Sequence, residues 1–308
     1  MLVNTSALPF ADLRAAFGER LRQDQPLAPY TSARIGGSAD ALVEVKSADD
    51  LVAAVERLHS MALPFLVLGG GSNVLVSDEG VRQVVILNHA KKVRFTDRSV
   101  WAESGANLGA IARQAATKGL EGLEWAAGIP GTLGGAIVGN AGAHGGDIAG
   151  SLAMAEILHL EEGRQTWKAH ELDFSYRSSW LKTHPGAAIV LAGELSLNSK
   201  EEAEIRSQMD SFLAHRRLTQ PPGASMGSMF KNPKDDHAGR LIEAAGMKGK
   251  RIGNAQISPL HANFFLNLGE AQSADVLALI NEAREAVQQQ FGVELELEVQ
   301  LIGDWPQS

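Results

Sequence analysis

Eight glycines fall between residues 128 and 146, in Gly128-Ile129-Pro130-Gly131-Thr132-Leu133-Gly134-Gly135-Ala136, then Gly139-Asn140-Ala141-Gly142, then Gly145-Gly146. A segment so poor in side chains neither packs a core nor makes a good strand, because glycine loses more backbone freedom on ordering than any other residue. Its apolar residues and its place between ordered elements argue against a disordered linker. A large flat or phosphate-bearing ligand lying against bare backbone accounts for it. A second run, Leu68-Gly69-Gly70-Gly71-Ser72-Asn73, follows a short apolar strand. Alone it reads as a tight turn, although consecutive residues without Cβ also let backbone N–H groups converge on phosphate oxygens. The chain has 32 glycines in 308 residues; without these eight and three, 21 remain in 286 residues, close to the roughly 7% background, so the excess is local. Neither run matches G-x-G-x-x-G after a strand or the P-loop ending in Gly-Lys-Ser/Thr. A dinucleotide could be bound here, but only by a different architecture.

The remaining composition removes whole classes of chemistry. There is no cysteine, hence no disulfide, Cys-ligated zinc, iron-sulfur cluster or catalytic thiol, and no Cys-linked cofactor. The nine histidines show no His-x-x-x-His or His-Glu-x-x-His spacing, so no catalytic metal is expected. With 28 basic against 36 acidic residues the net charge is −8, which argues against nucleic acid or an anionic membrane as the main partner. No protein partner is implied. The N-terminus has no basic segment followed by an apolar one, and no apolar run reaches the roughly 18 residues of a membrane span. The expectation is a cytoplasmic protein.

Periodicity alternates short strands with helices. Strands are expected at 42–45, 65–68, 84–87, around Val100, at 153–160, 187–197, 263–267 and 293–302. Helices are expected after the N-cap Ser47 with Leu51, Val52, Val55 and Leu58 on one face, at 107–118 stopped by Gly119, at 200–217 ending before Pro221-Pro222, at 238–245 and at 273–290. The mixture is α+β, without the regular βαβ spacing of a Rossmann domain.

Several motifs then line up in order. Thr31-Ser32-Ala33-Arg34-Ile35-Gly36-Gly37-Ser38-Ala39-Asp40, the two glycine runs, Phe174-Ser175-Tyr176-Arg177-Ser178-Ser179, Gly227-Ser228-Met229-Phe230-Lys231-Asn232-Pro233, Ala238-Gly239-Arg240-Leu241-Ile242-Glu243 and Leu297-Glu298-Val299-Gln300-Leu301-Ile302-Gly303 together resemble the UDP-N-acetylenolpyruvoylglucosamine reductase (MurB) family. They span nearly the whole chain. The resemblance implies a vanillyl-alcohol-oxidase-like (PCMH-type) two-lobe flavin domain, residues 1–90 and 91–210, and a C-terminal α+β substrate domain, residues 211–308. It implies non-covalent FAD reduced by NADPH and the substrate UDP-N-acetylglucosamine enolpyruvate, reduced to UDP-N-acetylmuramate for peptidoglycan precursor synthesis. The short span between Tyr176 and Pro221 is similar to the subtype without an extra substrate loop. Cofactor contacts are implied at Gly69, Gly70, Gly71, Ser72, Asn73, Gly128, Gly131, Thr132, Gly134, Gly135, Gly139, Asn140 and Gly142.

An enolpyruvyl ether is a Michael acceptor, so hydride addition leaves charge beside the carboxylate that must be stabilised and then protonated. Arg177 is implied as the stabilising cation, since a guanidinium grips a carboxylate bidentately; by composition alone it reads as a turn arginine. Ser228 is implied as the proton donor, and it needs nearby cations or a relay because a hydroxyl is a poor acid; an isolated Gly-Ser pair otherwise reads as a turn. Alternation over 293–301 puts Glu294, Glu296, Glu298 and Gln300 on one face without distinguishing among them. The resemblance selects Glu298, expected to be half-buried with a raised pKa. Many relatives carry arginine where this chain has Gln300. Lys231, Asn232 and Arg216 are expected at the substrate's diphosphate, and Gln256 and His261 at its uridine. Two other readings share the glycine loops: a sugar or aldonolactone oxidase on the same scaffold, and a nucleotide-binding module without chemistry.

Overall fold

The computed structural model describes residues 8–305. Its contacts divide the chain into two compact units. The first comprises the chain up to Leu42, Gly71–Val85 and everything from Arg217 on; the second comprises Val43–Gly70 and Ile86–Arg216.

In the second unit an antiparallel sheet runs in the order Gly163–Lys168, Leu152–His159, Ala188–Ser196, Ser99–Glu103, Val93–Phe95. One face carries Val100, Ala102, Ala155, Ile157 and Leu195, all fully buried, and the helices Leu108–Ala116 and Leu133–Gly139 share that core. Gly193 on the middle strand has Ile137 where a Cβ would stand, so the short helix Leu133–Gly139 is seated close to the sheet. The helix Ala48–Ser60 starts as its sequence predicts: the Ser47 side chain accepts the Asp50 N–H at 3.1 Å, and Leu51, Ala54, Val55 and Leu58 are buried. Asn107 caps Leu108–Ala116 in the same way, and Gly119 follows it at φ +65°.

In the first unit a four-stranded sheet runs in the order Ala224–Ser228, Phe264–Asn267, Ala255–Ile257, Arg251–Ile252. The helices Ala238–Ala244 and Ser273–Phe291 share its core through Leu241, Ile242, Val276, Leu279 and Ile280. The last strand among the described residues, Gln300–Ile302, runs parallel to Val74–Val76 with Gln300 opposite Val74.

That last strand is shorter than the alternation predicts. Only Gln300–Ile302 is regular strand, and residues 293–299 contribute one isolated bridge, Leu297 to Phe230. Alternation reports which side chains face inward, and Leu295 and Val299 are indeed buried. Strand also needs a continuous partner, and this segment has several short ones. The hairpin strand Gly163–Lys168 went unread because its polar sequence shows no apolar face.

Candidate active site

Inside the second unit, Gly69 and Gly70 meet the longer glycine run. A Cβ on Gly69 would stand 2.5 Å from the Thr132 hydroxyl, and one on Gly70 3.0 Å from the Gly131 Cα. Gly128 is pressed against Arg216, Gly134 against Ser104 and Gly142 against Asp147. At these positions the protein itself excludes a side chain. Gly135 and Gly139 differ, because a Cβ on the first would have only the Thr132 hydroxyl near, at 3.7 Å, and one on the second nothing within 4 Å. Thr132 caps the helix Leu133–Gly139 through the Gly135 N–H, so Gly135 presents bare backbone on the first turn of that helix. This leaves exposed backbone against which a flat ligand could lie. Asn140, left-handed at φ +42°, ends the helix; its amide donates to Ser175 O at 3.0 Å and accepts from the Ala149 N–H.

Asn140 thereby anchors the turn that carries Arg177. Ser175 and Ser178 exchange two backbone hydrogen bonds at 3.1 Å, and the buried Ser179 hydroxyl donates to Val138 O. Arg177 sits between them at φ +56°, a conformation costly for a residue with a Cβ, and donates to Gly142 O at 2.8 Å. Nearby in sequence, His144 stacks on Phe212 at 4.2 Å with His215 edge-on to it at 5.8 Å. Burial, followed by the charges of His215 and Arg216, holds the His144 pKa below the usual imidazole value. Burial alone lowers that of Arg216, which stays charged. Arg216, on the helix Glu202–Thr219, is thus the lasting cation of this cluster.

The first unit assembles the other candidates. Ser228 ends the strand Ala224–Ser228 and pairs with Phe264. Met229, the next residue, donates its N–H to Asn263 O at 2.8 Å, and its own carbonyl accepts the Glu298 N–H at 3.0 Å. The backbone thus brings Glu298 alongside the residue after Ser228. Of the carboxylates in the expected row, Glu294 and Glu296 are exposed while Glu298 is half-buried. Lys231 donates its N–H to Glu296 O and pairs its ammonium with the Glu296 carboxylate. Asn232 Oδ1 accepts the Ala238 N–H at the start of the next helix.

Asn263 is the organiser that sequence reasoning missed. It is 3% exposed, and its amide pairs with Phe230 like a strand neighbour, accepting the Phe230 N–H at 2.9 Å and donating to Phe230 O at 2.8 Å. Its own N–H donates to His261 Nδ1 at 3.2 Å. His261 is half-buried and edge-on to Phe264 at 5.0 Å; Gln256 donates to Gly249 O at 3.1 Å.

The Nδ1 contact requires neutral imidazole, and burial, with a smaller push from Lys248, lowers the His261 pKa below 6.5. The folded state therefore binds this proton less readily than the unfolded chain. Stability from His261 is complete above the unfolded value and is lost as pH falls through 6.5 toward the folded pKa. The melting temperature of the wild type is expected to fall more steeply from neutral to mildly acidic pH than that of His261→Gln. Parallel curves in a thermal-melt pH series would refute this assignment.

Among the described residues no group of three His, Asp or Glu side chains is placed to hold a metal ion, and no helix is long and apolar enough to cross a membrane.

Comparison with known proteins matches residues 39–161 to an FAD binding domain and residues 218–302 to the C-terminal domain of UDP-N-acetylenolpyruvoylglucosamine reductase. The chain is 43% identical over 289 residues to the UDP-N-acetylenolpyruvoylglucosamine reductase of Chloroflexus aurantiacus, covering 92% of this chain and 97% of that one. It is 41% identical over 288 residues to that of Bacillus subtilis, covering 91% and 93%. The crystal structure of the Thermus caldophilus enzyme superposes with a TM-score of 0.78 at 36% identity, over 93% of this chain and 98% of that one.

Proposed function

Since the chain belongs to the UDP-N-acetylenolpyruvoylglucosamine reductase family and is a flavin-dependent oxidoreductase, we propose that it reduces UDP-N-acetylglucosamine enolpyruvate to UDP-N-acetylmuramate in the cytoplasm, with NADPH as the electron source. Bound FAD would supply the hydride that adds to the terminal carbon of the enolpyruvyl group. The glycine backbone at Gly69–Asn73 and Gly128–Gly142 would hold it, with Gly135 and Gly139 at the open face.

The chain's own groups manage the charge that follows. Arg177 grips the substrate carboxylate, where negative charge accumulates as the double bond is lost. Ser228 gives its hydroxyl proton to the carbon beside that carboxylate, and Glu298 stabilises the enol form or orients the proton. Lys231, Asn232 and Arg216 bind the diphosphate; Gln256 and His261 face the uridine. The functional division into residues 1–90, 91–210 and 211–308 is part of the same proposal.

The observation that supports this reading is the hydrogen bond from Glu298 N–H to Met229 O, which brings the Glu298 main chain alongside the residue after Ser228. The test is substrate-dependent NADPH oxidation with UDP-N-acetylmuramate identified by mass spectrometry. NADPH consumption indifferent to the enolpyruvyl sugar would overturn it. For the cofactor part, Gly135→Ala is expected to leave the melting temperature of the apoprotein unchanged or slightly raised, since alanine favours helix by about 1 kcal/mol. FAD affinity measured by fluorescence quenching should nevertheless fall at least about tenfold, the loss of about 1.4 kcal/mol of binding. Unchanged affinity would remove this face from the cofactor site.

A further inference from the structure

We propose that Asn73 is a positioning residue for Glu298, acting through the Glu298 main chain; the inference rests on the role proposed above for that carboxylate. Residues 293–299 lack a continuous strand partner, so the backbone around Glu298 depends on individual hydrogen bonds. On one side the Glu298 N–H donates to Met229 O at 3.0 Å. On the other, the Asn73 amide donates to Glu298 O at 3.0 Å, and Asn73 O accepts the Gln300 N–H at 3.1 Å. The peptide unit before the Glu298 Cα is held by Met229 O, and the one after it by the Asn73 amide at its carbonyl and, at 3.5 Å, by Met229 O at the Val299 N–H.

Asn73 is itself firmly placed. Gly71, two residues earlier, is left-handed at φ +57°, and Tyr30 O occupies the space where its Cβ would stand. Its carbonyl accepts the Ser32 N–H at 2.9 Å, while Val74 begins the strand that pairs with Gln300–Ile302. A rigid turn and a parallel strand thus bracket the amide. Without the donor, the peptide after Glu298 loses its shorter hydrogen bond and keeps the 3.5 Å one from Val299 N–H to Met229 O, so the carboxylate is aimed less firmly. The segment expected to hold the flavin therefore also orients the acid, through its last side chain. That assigns Asn73 a task beyond cofactor contact.

The test uses the FAD-loaded enzyme with Asn73→Ala, Glu298→Gln and the double variant, following anaerobic reduction by NADPH and reoxidation by the enolpyruvyl substrate separately. Asn73→Ala is expected to slow reoxidation about tenfold to a hundredfold, the scale of an ångström's misplacement. Assayed at saturating FAD, which removes any loss of the cofactor contact also expected of Asn73, reduction by NADPH should be slowed about tenfold less than reoxidation. In the Glu298→Gln background the same change should add nothing, because the group it aims is gone. Asn73→Asp adds a signature that loss of structure would not produce. Its carboxyl can donate only when protonated, so the ratio of its reoxidation rate to that of Asn73→Ala should rise as pH is lowered.

Multiplicative effects in the double variant, equal loss of both half-reactions, or a wild-type rate for Asn73→Ala beside a slow Glu298→Gln would each overturn the proposal. A Glu298→Gln enzyme reoxidised at the wild-type rate would overturn the role of Glu298 itself, and that single variant reveals it.

Discussion

Replacing Ser228 by alanine is expected to slow reoxidation of the reduced flavin by the enolpyruvyl sugar about 10²- to 10⁴-fold, the usual contribution of a positioned general acid. Reduction by NADPH should remain near the wild-type rate, because no proton from Ser228 is needed for it. The fold gives little reason to expect collateral damage. Ser228 closes a strand whose pairing with Phe264 is made by backbone atoms, and alanine preserves those. Stopped-flow absorbance separates the two half-reactions. Equal slowing of both would make Ser228 a structural residue of the turn.

A larger structural effect is expected at Asn263. Alanine there leaves the N–H and C=O of Phe230 without partners, in a region where Phe230 itself is fully buried. Each unsatisfied buried group costs about 1–3 kcal/mol. The pair should lower the melting temperature by on the order of 10 °C, given about 2–4 °C per kcal/mol for a domain of 150–250 residues. The segment from Met229 to Lys231 supports both Ser228 and the Glu298 main chain, so reoxidation should fail even where the variant still takes up FAD. A wild-type melting temperature would contradict the clamp. A destabilised variant that is nevertheless reoxidised at the wild-type rate would leave Asn263 without the organising part assigned to it.

How much of this was legible in the sequence follows from the range over which each interaction acts. Ser47 and Asn107 announce their helices because a cap bonds to a residue three positions on, and Gly119 ends one because left-handed backbone favours glycine. The row Glu294, Glu296, Glu298 and Gln300 was visible as an alternating face. That only Glu298 in it is half-buried was not, since this depends on Asn73 and Met229, more than 200 and about 70 positions away respectively. Asn263 was invisible for the same reason: its partners are main-chain atoms of Phe230, and no motif marks an asparagine that pairs with backbone. His261 stands two residues before it in the chain, yet its lowered pKa comes from burial that only the fold creates.

The glycine excess was legible as a local anomaly and only partly as its cause. Gly69, Gly70, Gly128, Gly134 and Gly142 are required by neighbouring protein atoms, whereas Gly135 and Gly139 leave backbone open. Both follow from missing Cβ atoms, and only coordinates distinguish close packing from a surface awaiting a ligand.

The central claim is tested most directly by the visible spectrum of the purified, FAD-reconstituted protein under anaerobic conditions, with NADPH added first and UDP-N-acetylglucosamine enolpyruvate second. The account predicts that the flavin band bleaches with NADPH and returns in full on one equivalent of the enolpyruvyl sugar, with UDP-N-acetylmuramate formed in the same amount. A protein that takes up no FAD, or a reduced flavin that the sugar nucleotide does not reoxidise, would contradict it.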